Sequence, residues 1–234
     1  MKPRAIICDV YRTILEVRPA EGDAERGWPA LGREFFGTDP VMTFGGFDAA
    51  CRAVVADDHA AARRRGVAFP EVQWPEVVGR VLPLFRGLDP ARRMEFLLRE
   101  QSLRRGLGLA SGAAAALRSW SRQGVLLGVA SNAQAYTRPE LEGALGAAGL
   151  DCGIFAGDLV LWSWQLGFSK PDPYFFQVLR ARLAARGLAP GEALMVGDRA
   201  DNDIAPARAA GLMTWHLHPE GDGDWSALQA VLER

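Results

Sequence analysis

Residues 4–13 read RAIICDVYRT, and the order of chemistry within them decides the fold. Four apolar residues, Ala5 to Cys8, run straight into Asp9. An unbroken apolar run of this length suits a strand covered on both faces, because neither face meets water. The same grammar recurs downstream. Val125 to Ala130 ends at Ser131-Asn132, Ala193 to Val196 ends at Gly197-Asp198, and Met213 to Leu217 offers a fourth strand. Helix signals fall between these runs. Residues 111–123 are alanine-rich, and Pro139 to Ala148 carries proline at a first helical position. Asp172-Pro173 supplies a cap and a first residue for a helix reaching about Arg186, with Gly187 past its end. Strand and helix in alternation predict an α/β fold, a Rossmann-like parallel sheet covered by helices on both sides. In such sheets ligands sit at the carboxyl ends of the strands, so Asp9, Ser131 and Asp198 are expected to converge.

Residues 18 to about 104 break this alternation. They hold little strand signal but several helical stretches, including Phe47 to Arg65 and one capped by Asp89-Pro90 that runs towards Arg104. Aromatics crowd the first part (Trp28, Phe35, Phe36, Phe44, Phe47). The expected organisation is a core of residues 1–16 and 107–234 with an inserted, mostly helical cap domain, 17–106, hinged near 15–19 and 104–109. Arg63-Arg64-Arg65 closes a helix, where cations suit the dipole, and reads as solvated surface. No internal repeat or low-complexity tract appears.

A chain of 234 residues can build one good core plus a smaller accessory domain. Its 49% hydrophobic and 24% charged residues are those of an ordinary globular protein. A net charge of −1 offers no electrostatic reason to expect nucleic acid or an anionic membrane as partner. No apolar run approaches the roughly 20 residues of a membrane span, and Arg4 and Asp9 bracket too short a run for a signal peptide. The cysteines (Cys8, Cys51, Cys152) are three and scattered, which speaks against a disulfide framework and a zinc site. A reducing cytoplasm is therefore expected; oligomeric state is left open.

Four pieces that carry chemistry follow in order: Asp9-Val-Tyr11-Arg12-Thr13, Ser131-Asn132, Lys170-Pro171, and Gly197-Asp198 with Asp203 five residues on. Each alone is weak, since an aspartate after a strand is most often a turn or cap residue. Together, at strand ends, they are specific. Here the chain resembles the haloacid dehalogenase superfamily over roughly residues 4–16 and 107–219. GVASNAQ, GFSKPDPYFF and LMVGDRADNDIAPARAAG look like its second, third and fourth motifs, and the inserted segment sits where that superfamily places a helical cap. The resemblance implies a hydrolase in which Asp9 is a covalent nucleophile. Ser131, with Asn132 and nearby backbone N–H groups, would bind the oxygens of a small anionic substrate. Lys170 would stabilise developing negative charge. Asp9, the backbone carbonyl of Tyr11 and Asp198 would hold Mg2+, a hard cation suited to oxygen ligands. Asp203 would anchor Lys170 or the metal waters, and Thr13 would steady the Asp9 loop.

Two positions depart from the pattern. Phosphatases of the superfamily carry a second aspartate two residues after the nucleophile, to protonate the leaving alkoxide and then activate water. This chain has Tyr11, and a phenol with an unperturbed pKa of about 10 is a far weaker acid. Tyrosine there resembles the metal-free 2-haloacid dehalogenases, whose halide leaves without a proton. Arg12 replaces a customary glycine, and its guanidinium is open to two readings, a contact for a substrate carboxylate or phosphate, or a side chain that points into solvent. The fourth motif points the other way, because aspartates at 198, 201 and 203 beside an anionic substrate make sense mainly with a divalent cation. The substrate-binding arginine of dehalogenases has no clear counterpart, and Phe176 stands where they usually carry tyrosine. The preferred expectation is a magnesium-dependent phosphatase-type hydrolase with an altered acid. The alternatives are a dehalogenase and a catalytically weak binding relative.

Four further features read as structural. Gly106-Leu-Gly-Leu-Ala-Ser-Gly112 has dinucleotide-like spacing but follows no strand, and so reads as a junction loop. His216 and His218 occupy alternate positions of the last strand without a third metal ligand. Trp162 and Trp164 are expected to share one face and pack. Cys8, inside the first strand, reads as an inert buried thiol.

Overall fold

The computed structural model describes residues 2–233 and divides them into two compact units. Val17–Leu107 and Gln134–Glu140 form one, and the rest of the described chain forms the other.

The first unit is the α/β core. Five parallel strands lie in the order β5-β4-β1-β6-β7, where β1 is Ala5–Cys8, β4 Leu126–Ser131, β5 Val160–Trp162, β6 Ala193–Gly197 and β7 Met213–His216. β1 is central and wholly buried, as its unbroken apolar run requires. In register, Cys8 lies between Val129 and Val196, so the chain steps off β1, β4 and β6 at neighbouring places on one rim. Helices α5 (Ala113–Arg122), α8 (Pro173–Ala185) and α10 (Trp225–Leu232) belong to this unit, as do the short α7 (Ser163–Leu166) and α9 (Ala205–Ala209). Phe175, Phe176, Leu179 and Leu183 of α8 are buried with Ile7, Met195 and Leu161 of the sheet. Asp172 caps that helix by accepting from the Tyr174 N–H, and Pro173 opens it where a missing N–H costs nothing.

The second unit is helical: α1 (Ala24–Phe36), α2 (Phe44–Arg64), α3 (Trp74–Val81) and α4 (Pro90–Arg104). Its core is aromatic. Trp28 stacks on Phe47 at 4.7 Å, and Phe96 meets Phe35 edge-on. Arg104 bridges Asp48 and the fully buried Glu100 while lying over the Phe44 ring, so the buried carboxylate is paired. Helix α2 begins a turn earlier than its apolar pattern suggests, because Thr43 caps it by accepting from Gly46 N–H.

Several local expectations change. The stretches near 15–19 and 104–109 are strands, β2 (Leu15–Pro19) and β3 (Arg105–Leu109), paired in a two-stranded sheet. The glycines of Gly106–Gly112 therefore begin in a strand rather than a junction loop; at Gly106 an added Cβ would lie 3.3 Å from the Pro19 carbonyl oxygen. Trp162 ends β5 and Trp164 lies in α7, so the two do not alternate on one strand. β7 stops at His216, which leaves His218 in the following loop. Helix α6 (Thr137–Ala147) starts two residues before Pro139. No helix among the described residues is long and apolar enough to cross a membrane.

Candidate active site at the carboxyl rim of the sheet

Asp9 follows the last residue of β1, and its N–H continues the ladder to the Val196 carbonyl at 2.9 Å. Its carboxylate is almost buried. Lys170 reaches it from the loop between α7 and α8, with Nζ 2.9 Å from Asp9 Oδ1 and 2.7 Å from the Ala130 carbonyl oxygen. The third bond from Nζ goes to Asp203 Oδ1. An ammonium has three donors, and all three are spent on oxygen. Burial alone would push Lys170 towards neutrality, but Asp9 and Asp203 reverse this and hold its pKa above the ordinary value.

The Lys170 loop is clipped in place by Asn132. Asn132 Oδ1 accepts from the Lys170 N–H at 2.7 Å, and its Nδ2 donates to the Lys170 carbonyl at 2.9 Å. Asn132 was expected to touch substrate; the structure instead commits its amide to the backbone of the catalytic-lysine candidate. Ser131, the last residue of β4, is fully buried. Its hydroxyl mildly favours the charged form of Asp9, yet Oγ makes no hydrogen bond of normal geometry, so the geometry leaves it a donor without an acceptor.

Gly197 ends β6 and Asp198 follows it. The next residues form a π-helical turn, Ala200–Ile204, that swings Asp203 inward. Asp203 Oδ2 accepts from the Arg199 N–H at 3.1 Å and Oδ1 from Lys170, so both its oxygens are engaged. Asp9, Asp198 and Asp203 each present a carboxylate oxygen within 4.8 Å of the others. Burial raises the Asp9 pKa to about 6, with Asp203 adding to the rise and Lys170 pulling against it. The Asp198 pKa is also raised, by burial first and then by Asp203, with Arg12 and Lys170 opposing. Asp201 does not join them; it is exposed and paired with Arg199.

The turn after Asp9 is tight. Tyr11 forms a β-bridge with Leu15, and Thr13 N–H bonds the Val10 carbonyl at 3.3 Å. Arg12 sits at φ +60°, a left-handed conformation that costs a residue with a Cβ roughly 1 kcal/mol. That is why glycine is customary there. Its side chain is exposed, yet its charge is felt at Asp198. Thr13 is fully buried and steadies the turn through its backbone, its carbonyl accepting from Trp225 Nε1 at 3.1 Å. Cys8 is buried with its thiol pKa pushed up by burial, and is inert.

Three further residues shape the site in ways the motifs do not assign. Ser163 Oγ accepts from the Ala133 N–H at 2.8 Å and so holds the strand end that carries Ser131. Gly197 faces Asp203 so closely that a Cβ would lie 2.4 Å from Asp203 Oδ2. His216 contacts the Asp198 carbonyl. Only Gly197 left a signal in the sequence, a glycine at the strand end before the acidic loop.

The rim of the parallel sheet thus carries a buried lysine among three carboxylates. The chain belongs to the haloacid dehalogenase-like hydrolases, whose family profile matches residues 3–211. It is 50% identical over 54 residues to a phosphoserine phosphatase from Thermus thermophilus, a match covering 23% of this chain and 20% of that protein. It is 44% identical over 79 residues to a ribulose-1,5-bisphosphate 5-phosphatase from Halopiger xanaduensis, covering 33% of this chain and 32% of the relative. The matched segments thus span a third or less of either curated relative's length. Among solved structures, a 2-haloacid dehalogenase from Pseudomonas syringae pv. tomato superposes with a TM-score of 0.60 at 22% identity, covering 100% of this chain and 99% of that one. At that identity the likeness establishes the fold.

Proposed function

We propose that the protein is a magnesium-dependent phosphatase-type hydrolase that acts on a small phosphorylated metabolite through an aspartyl intermediate on Asp9. One observation carries this reading: three carboxylates share the rim with a single buried cation. Asp9, Asp198, Asp203 and Lys170 sum to a charge of about −2 if all are ionised, which would repel an anionic substrate. A hard divalent cation fits this donor set. Asp203 has both oxygens engaged, so Asp9 and Asp198 would be the side-chain ligands, with the Tyr11 carbonyl joining them by its place in the first motif. When bound there, the ion would supply positive charge against the transferring group and its developing negative charge.

The chain's own residues then divide the work. Asp9 attacks phosphorus through a carboxylate oxygen; the new P–O bond forms as the ester P–O bond breaks, and the departing alkoxide or phenolate takes its proton from water. Water hydrolyses the acyl phosphate and restores Asp9 with release of inorganic phosphate. Lys170 holds Asp9 in place and keeps its charge beside the equatorial oxygens. Ser131 offers its buried, acceptor-free hydroxyl to one of those oxygens. Asn132 acts as a positioning residue through the Lys170 backbone. The helical unit is assigned the role of a cap that selects the substrate, and the three free thiols fit a reducing cytoplasm. The local matches to two phosphatases support this reading over the dehalogenase one.

Tyr11 favours the second reading, hydrolysis of a carbon–halogen bond, because a departing halide needs no acid. The two are separated by one assay. With magnesium, release of phosphate from an aryl phosphate is expected, lost on chelation and reduced at least about 1,000-fold in Asp9→Asn. Halide release from 2-chloropropionate in the presence of chelator, with no phosphate release, would overturn the assignment.

A further inference from the structure

We propose that His216 is a positioning residue that aims Asp198 and thereby sets the affinity of the acidic loop for its divalent cation; the inference rests on the magnesium reading above. β7 pairs with β6 so that His216 lies opposite Gly197. Two contacts join these strand ends. Leu217 N–H donates to the Gly197 carbonyl at 2.8 Å, and His216 Nε2 lies 3.0 Å from the Asp198 carbonyl oxygen. A carbonyl only accepts, so Nε2 carries the proton and the imidazole is the donor. The peptides on both sides of the Asp198 Cα are thus pinned to the end of β7. Those two planes fix the direction of the Asp198 Cα–Cβ bond, and with it limit the carboxylate to the few rotamers about that bond.

The ring is itself held from several directions. His218 stacks on it with centroids 5.3 Å apart and planes within 12°. Gly221 lies against the ring so closely that a Cβ would come 2.7 Å from Cγ and Nδ1. Asp222 clamps the backbone, its carboxylate accepting from His216 N–H at 2.7 Å and its own N–H donating to the His216 carbonyl at 2.9 Å. Trp215 Nε1 bonds the Gly223 carbonyl at 3.1 Å. The loop 217–223 thus encloses one imidazole whose single donated bond goes to the acidic loop. His216 is not placed as a metal ligand, since its Nε2 is committed to a carbonyl. It stands one bond further out, where partners of metal sites typically contribute 10–100-fold in affinity.

The test reads metal binding without turnover. Magnesium titrated calorimetrically into the full chain, with no substrate, is compared for wild type, His216→Phe, His216→Gln and Asp198→Asn. His216→Phe keeps a ring but loses the donor, and is expected to weaken magnesium binding about 10- to 100-fold. His216→Gln, with an amide N–H at similar reach, should recover to within about threefold of wild type. Should the phenylalanine variant fail to fold, His216→Asn replaces it, polar but too short to reach the carbonyl, and is expected to bind as weakly. Unchanged affinity in the Phe or Asn variant, while Asp198→Asn loses binding, overturns the role of His216 and leaves the metal site standing. A wild type that takes up no magnesium overturns both.

Discussion

Tyr11 stands two residues beyond Asp9, where a carboxylic acid would protonate the leaving alkoxide. With a phenol there, hydrolysis should depend steeply on the leaving group. Aryl phosphates, whose phenolate leaves without help, should turn over far faster than alkyl phosphates. Tyr11→Asp is expected to raise kcat on an alkyl phosphate by about 100-fold or more, the usual worth of a positioned acid, with little gain on an activated aryl ester. Parallel initial-rate measurements on the two ester types check this; no alkyl gain would mean that more than the acid has been remodelled. Residue chemistry of this kind was legible without coordinates, because Asp9, Ser131, Lys170, Asp198 and Asp203 announce themselves by type and by place after a strand. The employment of Asn132 was not. An amide can meet a substrate oxygen or a backbone equally well, and only the 2.7 Å and 2.9 Å contacts to Lys170 show which.

At the scale of elements, β6 and the π-helical turn after it act together. Gly197→Ala would place a Cβ 2.5 Å from the Cβ and Cγ of Asp203, so the Asp203 side chain must leave its place beside Lys170. Overpacking of this sort costs about 1–3 kcal/mol, or a Tm lower by roughly 2–12 °C in a chain of this size. The activity loss should be larger than that stability loss implies, about 100-fold in kcat, because Lys170 would lose one of its two carboxylate partners. Thermal unfolding and steady-state kinetics on the same preparation separate the two effects, and a variant with wild-type kcat would sink the argument. Among the strands, β1, β4, β6 and β7 were visible as apolar runs. β2, β3 and β5 were not. LEVRP alternates over too few residues to stand out and buries only Leu15, RGLGL is half-buried throughout, and β5 is only three residues long.

For the whole molecule, the acidic rim couples stability to pH. Burial lifts the Asp9 pKa to about 6 against about 3.9 for a free aspartate. The folded chain therefore keeps a proton that the unfolded chain releases between those values. The metal-free protein loses this contribution as pH rises through the window, and Asp198, also raised, acts in the same direction. A divalent cation held at this site, as proposed, would favour the ionised carboxylates and offset the loss. The rise in Tm on adding magnesium should accordingly be larger at pH 8 than at pH 5, and Asp9→Asn should shrink the difference. Equal shifts at both pH values, measured by thermal unfolding, would contradict the site. The two-unit organisation escapes a linear reading for a physical reason. Gln134–Glu140 begins three residues after Ser131 but belongs to the helical unit, where Gln134 accepts from the Trp74 N–H at 2.8 Å and donates to the Val72 carbonyl.

The amino-acid sequence by itself determined the parallel α/β class and the acids and lysine that end its strands. Both follow from local rules: buried strands must be apolar throughout, and chemistry must lie where the strands stop. Tertiary structure alone decided which of those groups touch. Lys170 and Asp9 are 161 residues apart in the chain, and their 2.9 Å contact exists only because β1 is flanked by β4 and β6. The burial that raises the Asp9 pKa, the turn that brings Asp203 to Lys170 and the imidazole that pins Asp198 are likewise products of packing between distant segments, which no spacing along the chain encodes.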